Sequence, residues 1–97
     1  MGIELISRNP EGGGLYYNWE GWRWIREFAN ANGISPSEFA ESNDGDELSP
    51  ATCRAVATAI EGHRGEYNKV FAGIHYGRAP AKKHAEAWRE SDGFEQW

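Results

Sequence analysis

The segment 16–28 constrains the fold most, because six of its thirteen residues are aromatic. Helical periodicity over residues 20–32 places Trp22, Ile25 and Phe28 on one face of a helix. Trp24 lies about 200° around the same helix from Trp22, so one apolar stripe cannot bury both rings. The second face therefore needs another layer of the protein or a binding partner. The N-terminal strands and the C-terminal tail are the expected second layer.

Length and composition predict a single domain over residues 1–97. A chain of 97 residues is the size of one small domain, and its 13% aromatic residues are more core material than a disordered chain carries. No apolar run approaches the roughly 18 residues of a membrane span, and residues 1–20 lack the pattern of a signal peptide. A single cysteine, Cys53, cannot form an intrachain disulfide, so we expect a cytoplasmic protein.

Hydrophobic periodicity predicts an α+β fold of about four helices with a small two- or three-stranded sheet from the two ends of the chain. Strands are predicted over 3–7, 15–18 and 94–97. Helices are predicted over 20–32, from 50 to a stop at 62, over 65–76 and from 80 to about 93, with a short helical turn at 36–40 and a polar turn at 41–48. Ser49 is the expected cap of the second helix, and Gly73 inside the third indicates a close helix contact. An all-α bundle with extended ends is the alternative.

The acidic charge is concentrated in one segment. The net charge is -5, and residues 38–47 carry five acids and no base. Because an acidic surface complements a basic groove, this segment predicts a non-enzymatic module that binds another protein with a basic surface. Inhibitors of nucleic-acid-handling enzymes or of toxins are examples of such modules. The candidate binding residues are Glu38, Glu41, Asp44, Asp46 and Glu47. Ordinary solvated faces are the alternative interpretation.

The aromatic segment supplies a second set of candidates for the same function. Trp and Tyr dominate the energetics of protein interfaces, so a partly exposed ring in this segment would suit partner binding. The alternative is a helix that is buried on both sides. The candidate residues are Trp19, Trp22 and Trp24.

Residues 54–84 favour an alternative function, because they hold six bases and two acids. Such a region would suit binding of an anion or a nucleic acid. Nucleic acid is the less favoured ligand, since residues 1–48 carry a net charge of −6 and phosphate binding needs a positive field. The candidate anion-binding residues are Arg64, Lys69, Arg78, Lys82 and Lys83.

Catalytic and metal-binding motifs are not found in the sequence. His63, His75 and His84 have no zinc-ligand spacing relative to one another or to Cys53. Cys53 falls on the inner face of its predicted helix, where a free cysteine packs as a small hydrophobe. The sequence therefore predicts no catalytic residue, no metal and no cofactor.

Four segments of the chain resemble small uncharacterised bacterial and phage-borne proteins. These segments are 17–23, 41–46, 55–61 and 93–97. The group shares an aromatic N-x-W-x-W opening, which stands here with altered spacing as N-W-E-G-W. It also shares an S-N-D-G turn, an alanine-rich helix ending in glutamate, and a closing G-F-E-x-W. The resemblance implies that the turn and the tryptophan segment define the fold, and it implies no activity.

Overall fold

The computed structural model describes residues 2–39, 45–73 and 76–97. The described strands are β1 (Gly2–Ser7), β2 (Leu15–Asn18), β3 (Asp46–Leu48) and β4 (Phe94–Gln96). The described helices are α1 (Trp19–Ala31), α2 (Pro50–Gly62), α3 (Arg64–Phe71) and α4 (Ala81–Glu90), with a 3-10 turn at Pro36–Glu38. The α+β prediction is confirmed.

Over the described residues the sheet has four antiparallel strands in the order β2-β1-β4-β3, whereas the sequence predicted two or three. The additional strand is β3, which lies inside the segment expected to be a polar turn. It forms because Leu48 aligns with Phe94 of β4 and is fully buried there. Pairing with a strand that is distant in sequence thus overrides the turn-like composition of this segment.

Local capping signals place the helices close to their predicted positions. The side chain of Asn18 accepts a hydrogen bond from the Gly21 amide at 2.7 Å and begins α1. The Ser49 hydroxyl accepts one from the Thr52 amide at 3.1 Å, as predicted for α2. The α4 helix is capped from another element, since the Asn68 side chain accepts from the Ala81 amide at 2.8 Å.

The third helix ends five residues earlier than predicted. α3 stops at Phe71, and Ala72 already has extended backbone angles. Gly73 has a φ of 147°, which favours glycine, and it pairs with Gly77 through two backbone hydrogen bonds of 2.8 and 2.9 Å. Gly73 therefore closes a loop, and the predicted helix contact at this residue was wrong.

The rings of Trp22 and Trp24 lie on different sides of α1 and pack against different elements. Trp22 is buried and packs near Tyr17 and Phe39. Trp24 is half-buried and meets the edges of Tyr67 and Phe71 at centroid distances of 5.9 and 5.3 Å. The N-terminal strands thus lie against α1 as predicted, with Tyr17 of β2 beside Trp22, while Trp24 meets α3 rather than the C-terminal tail.

The helices and the inner side of the sheet enclose one hydrophobic core. The α2 and α4 helices pack along each other, and the Arg89 guanidinium of α4 donates hydrogen bonds to Glu61 and Thr58 of α2. Within the described part of the chain, no helix is long and apolar enough to cross a membrane.

Candidate protein-binding surface

The sheet turns one face toward the core and leaves the other face open to solvent. Strand alternation buries Ile3 and Leu5 of β1 and directs Glu4 and Ile6 outward. Cross-strand register brings further outward side chains beside these two, since Tyr16 aligns with Glu4 and Glu95 aligns with both Ile6 and Glu47. We call this surface the open face; its residues are Glu4, Ile6, Tyr16, Glu47, Glu95 and Trp97.

Three large apolar side chains on the open face remain exposed to water. Ile6, Tyr16 and Trp97 are 43%, 47% and 49% exposed. The solvated face of an antiparallel sheet is normally polar, so apolar groups gathered there need another reason. Clustered apolar exposure on a small protein is typical of an interaction surface.

The ring of Trp97 contacts Glu95 and Gly45, and its backbone is bonded to β1. Its indole N–H donates to Glu95 Oε1 at 3.1 Å, and its backbone amide donates to the Glu4 carbonyl at 2.8 Å. The ring also packs on Gly45, where an added Cβ would lie 2.7 Å from the indole. Gly45 also has a φ of 87°, a conformation that favours glycine. Since glycine has no side chain, the backbone lies directly against the ring. Trp97 is therefore a fixed aromatic contact.

The open face is negatively charged. Three carboxylates lie on it, and Glu47 and Glu95 stand directly opposite each other on paired strands. Like charges in this position destabilise a sheet. Arg8 approaches Glu47 at 3.5 Å, but both groups are exposed and such a pair stabilises little. Repulsion between Glu47 and Glu95 is therefore only weakly offset by Arg8.

The predicted acidic segment is divided among different environments in the structure. Glu38 accepts a hydrogen bond from the Thr52 hydroxyl at 3.2 Å, so it links the 3-10 turn to α2. Asp46 and Glu47 are exposed on β3, where alternation directs them to opposite sides of the strand. Of the predicted acidic residues that the structure describes, Glu47 alone joins the open face. Glu41 and Asp44 lie outside the described residues.

The predicted tryptophan site does not form one surface. Trp22 is 1% exposed and is unavailable to a partner, because its ring belongs to the core. Trp24 is half-buried against α3, and Trp19 is exposed at the start of α1. Two other exposed aromatics, Tyr16 and Trp97, share the open face with carboxylates, and neither is among the tryptophans predicted from the sequence.

The predicted basic residues are exposed on several elements. Arg64 and Lys69 lie on α3, Arg78 follows Gly77, and Lys82 and Lys83 are in the first turn of α4. Lys83 alone among these five lines a cleft together with a histidine, His84. Anion binding by the full basic set stays a prediction.

Cysteine and histidine chemistry is restricted by burial. Cys53 is buried, and this burial raises the pKa of its thiol, which disfavours the thiolate that a nucleophile requires. His63 is exposed and lies 4.0 Å from Glu66. His75 lies outside the described residues. Among the residues with described positions, no three histidine, cysteine or acidic side chains are grouped as metal ligands.

Comparisons with known proteins give no family assignment. A comparison with protein-family models finds no match. Comparisons with curated proteins and with solved structures find no significant match either. The resemblance to small bacterial and phage-borne proteins therefore stays a prediction, and function must be inferred from the chemistry of the surface.

Proposed function

We propose that this protein is a non-enzymatic module that binds a basic surface of another protein through the open face. The observation that carries the proposal is the placement of three exposed apolar side chains among three carboxylates on one sheet face. Apolar anchors supply binding energy, while the surrounding charges select a partner of opposite sign.

Arginine and lysine side chains of the partner fit this surface, because each has an aliphatic stem and a charged end. Their aliphatic stems can pack over Ile6 and the rings of Tyr16 and Trp97, and their charged ends can reach the carboxylates beside those groups. Arginine is favoured over lysine, because its planar guanidinium stacks on aromatic rings and forms two parallel hydrogen bonds with a carboxylate.

The rigid position of Trp97 supports binding without a large ordering cost. Its ring already contacts Glu95 and Gly45, and its backbone amide is bonded to the Glu4 carbonyl, before a partner arrives. Less side-chain entropy is then lost on association, which improves affinity for a given contact area.

An inhibitory role is the specific form of the proposal. Grooves that bind nucleic acid are basic, and a toxin with such a groove is blocked when an acidic protein occupies it. The single buried cysteine supports action in the cytoplasm. Nucleic acid itself is disfavoured as a partner, because the carboxylates of the open face would repel phosphates.

A selection experiment tests the proposed partner chemistry. A library of random displayed peptides is selected on the immobilised protein, and arginine-rich peptides should be enriched. The double variant Glu4→Lys/Glu95→Lys should lose these peptides. The matched control Glu27→Lys/Glu86→Lys makes the same change in net charge on exposed helical positions and should retain them. Enrichment of acidic peptides, or equal losses in both variants, would contradict the proposal.

A second pair of variants separates the open face from the tryptophan site predicted by the sequence. Trp97→Ala should weaken binding of the selected peptides by at least tenfold, as expected for an interface anchor. Trp19→Ala removes an equally exposed indole from α1 and should leave the affinity within about twofold. The opposite ranking would move the binding surface to the start of α1.

A further inference from the structure

Four buried side chains of β2, α3 and α4 are linked in series by hydrogen bonds within the core. The Trp88 indole nitrogen lies 3.1 Å from the Tyr17 hydroxyl, which lies 2.7 Å from the Tyr67 hydroxyl. The Tyr67 hydroxyl in turn lies 2.5 Å from Nδ1 of His84. All four side chains are buried, and His84 is only 4% exposed.

The direction of the hydrogen bonds in this series follows from its first member. An indole N–H can only donate, so the Tyr17 oxygen accepts from Trp88. Tyr17 then donates to Tyr67, and Tyr67 donates to Nδ1 of His84. In the reverse order His84 would donate to Tyr67 and Tyr67 to Tyr17, which would leave the Tyr17 proton with no acceptor among the described residues.

The protonation states agree with this direction. Burial raises the pKa of both tyrosines, so each keeps its proton. Burial, together with repulsion from Lys83, lowers the pKa of His84 to about 4, so its ring is neutral near pH 7. Because Nδ1 accepts from Tyr67, the single ring proton of His84 resides on Nε2.

The ring of His84 also forms part of the wall of a surface cleft. This cleft of about 620 Å³ lies where β2 meets the 76–77 loop and α4, and we call it the His84 cleft. His84 bonds to the core through Nδ1, and no described residue accepts a hydrogen bond from Nε2, so this N–H is left to meet solvent or a ligand in the cleft. Its lining residues are Gly14, Leu15, Tyr16, Tyr76, Gly77, Lys83 and His84.

The loop wall of the His84 cleft is anchored to the sheet. The Tyr76 hydroxyl donates to the Tyr16 carbonyl at 2.6 Å, which ties the loop to the edge of β2. The Tyr76 ring also meets the His84 ring edge to face, with centroids 5.1 Å apart. The aromatic wall and the donor are therefore held in a fixed relation before any ligand binds.

The charge around the His84 cleft is positive. Lys83 is the one charged side chain among its described lining residues. The first turn of α4 contains Lys82 and Lys83 and no acid, although the positive end of the helix dipole disfavours cations there. A bound anion would remove this repulsion.

We propose that the His84 cleft binds a small anion through an oxygen that accepts from Nε2 of His84 and pairs with Lys83. The ligand is a carboxylate or a phosphate, and the neighbouring Tyr76 ring suits one with a flat apolar body. This site does not depend on the proposed protein-binding function, since His84 and Lys83 are not part of the open face.

Nuclear magnetic resonance of the histidine side chains tests both the position of the His84 ring proton and the binding of an anion. Long-range ¹H–¹⁵N spectra at pH 7 should show His84 with its proton on Nε2. Titration with sodium phosphate and, separately, sodium benzoate at constant ionic strength should move the Nε2 signal in a saturable way with at least one of them. A phosphate response identifies a phosphate site, and a benzoate response identifies a site for aromatic acids. A proton on Nδ1, or no saturable shift with either anion, would overturn the proposal.

Variants of the two adjacent lysines supply a matched control that does not perturb the core. Lys83→Ala should weaken binding of the responding anion roughly fivefold, as an exposed ion pair would. Lys82→Ala removes the same charge from a side chain that does not line the cleft, and should change affinity by less than about twofold. Equal losses in both variants would indicate diffuse attraction to α4 and would overturn the assigned site. Both residues are exposed, so both variants should fold.

Discussion

The two faces of the sheet come from the same strands but have opposite characters. The inner face buries Leu5 and Tyr17, while the outer face leaves their sequence neighbours Ile6 and Tyr16 in water. Folding explains the inner face, because each of its side chains packs in the core. It does not explain the outer face, where apolar groups remain exposed and two glutamates stand opposite each other. The contrast teaches that the composition of the outer face needs an explanation other than core packing, and partner binding is the one we propose.

The largest expected effect on stability distinguishes two neighbouring aliphatic side chains of β1, one on each face of the sheet. Leu5→Ala should lower the free energy of unfolding by about 4 kcal/mol, because it leaves a cavity in the core. Ile6→Ala should lower it by only about 1 kcal/mol, because Ile6 is 43% exposed and lies outside the core. Urea denaturation followed by tryptophan fluorescence measures both. Similar losses of stability in the two variants would mean that side chains of the outer face contribute to folding as much as those of the inner face.

Acid should lower the free energy of unfolding through His84, which is buried in the core. Its pKa of about 4 in the folded protein lies below the usual value of 6.5, so the unfolded chain binds more protons between these values. The contribution of neutral His84 to the free energy of unfolding is fully present above about pH 6.5. It is lost as the pH falls toward 4, by about 3 kcal/mol in total. Tyr17, Tyr67 and Tyr76 pack against the ring and do not ionise in this range.

The control for this pH dependence is the exposed His63. Denaturation midpoints of the wild type and of His63→Gln should fall together between pH 6.5 and 4, because His63 is outside the core. A flat wild-type profile over this range, or loss of the dependence in the His63 variant, would show that His84 is not the group responsible.

Removing a hydroxyl from adjacent tyrosines should give an intermediate effect. Tyr17→Phe deprives the Trp88 N–H and the Tyr67 hydroxyl of their buried partner, and should destabilise the protein by about 2 kcal/mol. Tyr16→Phe alters an exposed ring and should change stability by less than about 0.5 kcal/mol. Thermal unfolding followed by circular dichroism compares the pair, and an equal effect would contradict the assigned hydrogen-bond chain.

The smallest expected effect has the opposite sign. Glu47→Gln removes the repulsion from Glu95 and should stabilise the protein by about 0.3 kcal/mol, since the weak pair with Arg8 is lost at the same time. The same change should weaken binding of arginine-rich peptides. Denaturation and peptide titration of one sample measure both quantities. A variant that binds as well as the wild type would remove Glu47 from the proposed surface.

The elements predicted correctly were those specified by residues close in sequence. Ser49 and Pro50 begin α2 through a cap that spans three residues, and period-two alternation identified β1. The strand β3 was missed because it depends on β4, which lies almost fifty residues away. The end of α3 was missed because Gly73 closes a loop with Gly77 rather than packing against a helix.

The candidate surface was less predictable than the fold, for a physical reason. Exposure of a side chain in a strand depends on which sheet face the helices cover, and local sequence does not contain this information. Trp22 and Trp97 have the same side chain, yet one is in the core and the other is half exposed. The alternation of residues 3–7 already placed Glu4 and Ile6 together, and it was the available signal for the open face.

The central place of β4 has a consequence for how the protein is made. β4 pairs with both β1 and β3, so it is the strand that joins β3 to the β1–β2 hairpin. A ribosome releases the N-terminal hairpin long before residues 94–96 emerge, and a two-stranded hairpin is only marginally stable in water. The helices can form during synthesis, whereas completion of the sheet waits until residues 94–96 have been made. Until then the edge of β1 that β4 later covers is open to pairing with other nascent chains.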